Sequence, residues 1–210
     1  MTAMAKTERH ALCDVAMQLG EHQPTLCGEW TVKDLVVHLL VRERSPAALG
    51  IALGPLSRLT EMESRRVGAR PFDQLVGRLR QGPPLWSPYA VPKLDSILNT
   101  LEYFVHHEDI RRAQPGWEPR TLPVRQEQQL WSMIGTAGKG LTRGASVGVV
   151  IDDLTSGSTA VLKGGEDPVT VRGLPSELTM FVFGRQGESR VELLGTAPAV
   201  AAIRGADFGV

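Results

Sequence analysis

The chain has 210 residues, enough for one ordinary domain or two small ones, and 42% hydrophobic against 22% charged residues excludes a disordered polypeptide. Lysine plus arginine and aspartate plus glutamate each total 23, so the formal net charge is zero, which argues against a general nucleic-acid binder. No apolar run reaches membrane-span length, the first residues lack a secretory signal and two cysteines cannot staple a scaffold, leaving a soluble cytoplasmic protein as the expectation.

Apolar residues recur at helical spacing over 7–19 (Ala11, Leu12, Val15, Ala16, Leu19), and Gly20 closes that segment. Residues 23–28 read as a turn. Thr31 fits an N-cap, with Asp34 three residues on as the reciprocal acid of a capping box, and the helix runs on toward Ser45-Pro46. Residues 46–60 are broken by glycine and proline and show no clear period. Pro71 starts a short helix that Gly82-Pro83-Pro84 stops. Long helices follow over about 93–113 and 123–141, the second weakened by late glycines. The period then changes: 146–151, 159–162 and 169–172 read as strands, with 164–167 as a hairpin turn between the last two. Residues 174–183 read as a helix, 190–194 as a strand and 198–203 as a short final helix. The spacing predicts an α+β protein, with a helical bundle over 1–143 and a small α+β domain over 144–210.

The chemistry concentrates in 99–112. At about 100° per residue, Glu102, His106 and Asp109 fall within roughly 60° of one another on a helix. Glu-x-x-x-His sets a carboxylate and an imidazole one turn apart, where oxygen and nitrogen can share a metal ion. Asp109 is placed to orient a ligand imidazole from behind, whereas His107 falls off that face. The expected third ligand is His38, whose ring should point inward because its helix is otherwise apolar. Taken singly, His38 also reads as a hydrogen-bonded core residue, and Glu102 with His106 as a surface pair. Cys13 and Cys27 read as buried or partly buried thiols, Trp30 and Trp117 as packing residues, and Arg111-Arg112 as charge complementing a helix C-terminus.

Arg42, one turn beyond His38, and Arg185, in a Gly-Arg pair, are candidate carboxylate binders, although each also reads as a surface charge. Two motifs lack their context. Gly144-Ala145-Ser146-Val147-Gly148 precedes a strand instead of joining strand to helix. Gly135-Thr136-Ala137-Gly138-Lys139-Gly140 lacks the spacer and hydroxyl of a phosphate loop.

Residues 24–39, with Trp30-Thr31-Val32-Lys33-Asp34-Leu35 before His38, resemble the first-ligand helix of the mycothiol-dependent maleylpyruvate isomerase family, part of the wider DinB-like four-helix bundles. Residues 102–109 are similar to its second ligand pattern, E-x-x-V-H-x-x-D. Gly173-Leu174-Pro175-Ser176-Glu177-Leu178, followed by Gly184-Arg185, resembles its small sterol-carrier-like domain. The resemblance implies His38, Glu102 and His106 as metal ligands, with zinc as the ion and nickel or cobalt as alternatives. It also implies mycothiol as co-substrate and a small electrophilic substrate, in a thiol S-transferase or a maleylpyruvate-type cis–trans isomerase. Further similarity to an actinobacterial subgroup of metal-binding proteins without an assigned reaction, agreeing with 18 arginines against 5 lysines, keeps a non-catalytic metal- or ligand-binding protein as the alternative. Monomer and homodimer are both compatible with the pattern.

Overall fold

In the computed structural model, the described residues are 3–44, 57–84, 87 and 92–209, without the side chains of 57–58 and 92–98. The chain divides into two compact units, Met1–Glu118 and Pro119–Val210.

The first unit contains α1 (Ala3–Leu19), α2 (Val32–Arg44), α3 (Ser57–Gly68), α4 (Phe72–Arg80) and α5 (Pro92–Arg112). α1 packs on α4 and α5, while α2 packs on α3 and α4. Leu12, Cys13 and Ala16 of α1, Leu35, Val36 and Leu39 of α2, and Leu75 and Leu79 of α4 close into one core with Tyr103 and Ile110 of α5. Each fully buried leucine there contributes about 1.5–3 kcal/mol relative to exposure. The capping box is present: Thr31 N donates to Asp34 Oδ2 at 2.9 Å, and Asp34 N to Thr31 Oγ1 at 3.3 Å. α1 starts four residues before the predicted point because Met4 and Ala5 are buried as well. α3 is a helix that the sequence reading lacks. It is dominated by charged residues, and its Leu59 and Met62 are 54% and 67% exposed, so little apolar period marks it.

α5 is buried around most of its circumference, since every residue from Tyr103 to Ile110 is buried. That explains why its sequence shows no apolar stripe. Its polar side chains must then find partners inside the protein. His107 Nδ1 lies 2.8 Å from Glu8 Oε2. Glu108 accepts from Arg112 Nε at 2.6 Å and from Arg111 at 3.0 Å, so this arginine pair is bound to a carboxylate one turn back. Arg112 also lies over the Trp117 ring, 4.7 Å from its centroid.

The second unit contains α6 (Val124–Leu141), β1 (Val149–Asp153), β2 (Thr159–Lys163), β3 (Val169–Gly173), α7 (Pro175–Val182), β4 (Glu192–Leu194) and α8 (Ala197–Arg204). α6 packs on α7 and β2, so it goes with the sheet, although the change of sequence pattern falls after it, near residue 144. One tie is chemical: the Glu127 carboxylate accepts from Ser176 N at 2.8 Å and Ser176 Oγ at 2.9 Å, capping α7. The motif at 135–140 lies inside α6, and that at 144–148 leads into β1.

The sheet order is β2-β1-β3-β4, with β1 antiparallel to β2 and parallel to β3, and β4 antiparallel to β3. This corrects the expected hairpin at 164–167. β2 and β3 are not neighbours; the segment between them crosses the start of β1. Gly148 N donates to Glu166 O, and Val169 N to Gly148 O at 2.9 Å. The crossing is close enough that a Cβ on Gly165 would sit 2.9 Å from Gly148 N. Glycine is required there by contact, where the sequence reading assigned it to turn conformation.

Candidate metal centre

The site is assembled in the first unit from α2, α5 and the loop before α2. That loop is pinned by Thr25 N donating to Trp30 O at 3.1 Å and by Leu26 N donating to Asp109 O at 3.2 Å. The second bond fastens it to α5. α2 projects His38 and, one turn on, Arg42; α5 projects Asn99, Glu102, His106 and Asp109.

Glu102 Oε1 is the meeting point. It lies 3.5 Å from His38 Nε2, 3.2 Å from His106 Nε2 and 3.5 Å from Arg42 Nε. The two imidazoles meet edge to face, with centroids 5.5 Å apart. Trp30 packs against His38 at 5.0 Å, so this tryptophan shapes the site directly. Arg42 NH1 donates to Asn99 Oδ1 at 2.5 Å, which fixes the guanidinium beside the carboxylate. Arg42 is thus buried in the site and not a solvated surface charge.

Behind His106, Asp109 Oδ2 lies 2.9 Å from Nδ1, and Asp109 is fully buried. Cys27 Sγ donates to the same Oδ2 at 3.1 Å and lies 3.8 Å from Nδ1. Cys27 is a site residue that the sequence reading treated as an ordinary thiol. Its only sequence signal was its place in the turn before the His38 helix. Cys13, by contrast, is buried in the core, where desolvation pushes its thiol up to about 12.

The electrostatics follow from this crowding. Burial alone would raise the Glu102 carboxyl, but hydrogen bonds to His106 and His38, and then the charges of His106 and Arg42, hold it well below the usual carboxylate range. Burial alone would lower His106, but Asp109, Cys27 and Glu102 together hold its imidazolium well above the ordinary histidine value.

Two donor sets share His106: His38, Glu102 and His106 through Nε2, and Cys27, His106 and Asp109 through Nδ1. In each, the donor atoms all lie within 4.8 Å of one another. A tetrahedral zinc with bonds of about 2.0–2.1 Å needs donors about 3.3–3.4 Å apart. The separations of 3.5 and 3.2 Å in the first set straddle that value. Its donor types, two imidazoles and a carboxylate, are those of open zinc sites. A ligand imidazole normally gives its second nitrogen to a carboxylate, the position Asp109 occupies. The residues present fit a divalent ion at His38, Glu102 and His106.

A cleft of about 800 Å³ borders His38 between α2 and α3, lined among others by Trp30, Lys33, Val37, Glu61 and Arg65. Arg185 belongs to the second unit, just before a short turn at Gln186–Glu188, and its NH1 donates to Phe183 O at 2.5 Å. Among the described residues, no helix is long and apolar enough to cross a membrane.

No protein-family model matches the chain, and no curated protein matches it in sequence. Two crystal structures share its fold. One is of the mycothiol-dependent maleylpyruvate isomerase carrying a histidine-to-alanine mutation, 16% identical, with 90% of each chain covered and a TM-score of 0.62. The other is of the mycothiol-dependent maleylpyruvate isomerase itself, 17% identical, with 90% of each chain covered and a TM-score of 0.58. At such identities the likeness establishes a common fold.

Proposed function

We propose that the protein is a cytoplasmic metal-dependent enzyme in which His38, Glu102 and His106 hold a zinc ion and a low-molecular-weight thiol such as mycothiol is the co-substrate. The convergence of His38 Nε2 and His106 Nε2 on Glu102 Oε1 carries the reading. The fold shared with the mycothiol-dependent maleylpyruvate isomerase supports it. His38, Glu102 and His106 would hold the ion, and as three protein ligands they would leave it the Lewis acidity to lower the pKa of a thiol bound beside them.

The chain's own residues do the rest. Asp109 accepts the Nδ1 proton of His106 and keeps Nε2 turned toward Glu102. Arg42 balances the carboxylate from the side and blocks its rotation through Asn99. The cleft beside His38 has room for a thiol and a small electrophile, and its Lys33 and Arg65 suit a carboxylate-bearing substrate. Addition of the thiol to an activated double bond allows rotation about the resulting single bond. Expulsion of the thiolate restores the double bond and gives the isomer; return of the thiol's proton to the carbanion instead gives the S-conjugate of a transferase.

The test is metal content by elemental mass spectrometry on tag-free protein, beside His38→Ala and Glu102→Ala. About one zinc per chain, lost in both variants, supports the site. Mycothiol-dependent turnover of an unsaturated diacid by the loaded protein then supports the reaction. No bound metal, with no uptake of zinc, nickel or cobalt, overturns the ligand assignment; a loaded protein inert toward thiols overturns the enzyme and leaves a metal-binding protein.

A further inference from the structure

A second cleft, of about 310 Å³, opens between α2, α3 and α4 and is lined by Arg44, Arg66, Arg70 and Arg78 against one acid, Glu63. Val41 and Val67 contribute apolar wall. Glu63 is already engaged, accepting from Arg66 Nε at 2.9 Å and Arg66 NH2 at 2.8 Å. Among the described residues, no carboxylate pairs with Arg44, Arg70 or Arg78.

Arg44 is the most constrained of the three. Its NH2 donates to the carbonyls of Arg78 and Gly82, which fixes the plane of the guanidinium. Its Nε is buried and has no hydrogen-bond partner among the described residues. Burial depresses its pKa; Glu43 opposes this, while the neighbouring charges of Arg78 and Arg9 add to it. Two carbonyl dipoles orient this partly buried cation without neutralising it, which leaves its charge available to an anion in the cleft.

This cleft is separate from the metal centre. At about 100° per residue, Arg44 lies about 120° around α2 from His38, and Leu40 about 160°. On α3, residues 63, 66 and 67 line this cleft, whereas 61, 64, 65 and 68 line the one beside His38. α3 is therefore the wall between the two.

We propose that this cleft binds a small dianionic oxyanion, a phosphate monoester or a dicarboxylate, through Arg44, Arg70 and Arg78. The planar forks of three arginines suit two or more charged oxygens. A volume near the lower end of small-molecule pockets, about 300 Å³, favours a compact ligand. The inference does not depend on the metal-site reading.

Isothermal titration of the full chain, treated with chelator so that anions find no metal, tests it with inorganic phosphate and, separately, succinate. Saturable binding of either is expected, weakened by added salt and at least about tenfold by Arg70→Gln and by Arg78→Gln. Phosphate alone binding identifies a phosphate ester as the ligand class; succinate alone identifies a dicarboxylate. Both variants leave the Arg44 backbone anchor intact, and unchanged circular dichroism verifies their fold. No saturable binding of either anion, or binding that survives both substitutions, overturns the proposal.

Discussion

Replacing Asp109 by asparagine tests whether that carboxylate orients His106 for a metal. Its side chain is fully buried, with Oδ2 2.9 Å from His106 Nδ1 and 3.1 Å from Cys27 Sγ. The change is nearly isosteric, so the imidazole keeps an acceptor, but the hydrogen bond loses its charge assistance. Two donors, the imidazole and the Cys27 thiol, then compete for one amide oxygen. Loss of an outer partner of this kind costs about 10–100-fold in metal affinity, or about 1.4–2.8 kcal/mol. Burial and the competing thiol place the expected loss in the upper half of that range. Competition for zinc between the protein and a metallochromic chelator, at fixed pH, measures it for wild type, Asp109→Asn and Glu102→Gln. An affinity equal to wild type would make the Asp109 contact incidental. A loss deeper than that of Glu102→Gln would make Asp109 itself a ligand and move the ion to the Cys27, His106 and Asp109 set.

Two predictions concern the scaffold. Arg9 and Glu43 form a buried ion pair, and Tyr103 donates to the same carboxylate at 2.5 Å, so Arg9→Met is expected to cost about 3–5 kcal/mol in denaturant unfolding near neutral pH. Burial already holds Glu43 above its ordinary value, and losing Arg9 raises it further. The stability from that bound proton is present below the unfolded pKa and lost as pH rises through the folded one, so the gap to wild type should narrow in acid. A gap that does not change with pH contradicts this account. In the second unit, Gly165→Ala forces a Cβ to within 2.9 Å of Gly148 N and should destabilise by about 1–3 kcal/mol; unaltered denaturant stability would refute the close crossing.

Much of the fold could be read locally. The capping box at Thr31 and Asp34 sets where α2 begins, so local sequence alone places His38 and Arg42 on one helix. The i,i+4 spacing of Glu102 and His106 put them on one face of α5 for the same reason: helical period is a property of the backbone. α3 carries little local signal because its apolar residues are few and Leu59 and Met62 are exposed, leaving no apolar period. The 164–167 segment misled because glycine followed by acidic residues fits a hairpin equally well, and strand order depends on contacts that no local window contains.

By itself the sequence determined the helical and strand character of most segments and the phase of His38, Glu102, His106 and Asp109 on their helices, since rise and turn per residue follow from local sterics and hydrogen bonding. Only the tertiary structure decided that α2 and α5 bring those side chains together, that a hydrogen bond from Leu26 to Asp109 draws Cys27 behind His106, and that four arginines, three from helices α2, α3 and α4 and Arg70 from the loop between α3 and α4, face one cleft. Those juxtapositions join residues distant along the chain, and the packing that selects them is a sum over the whole core.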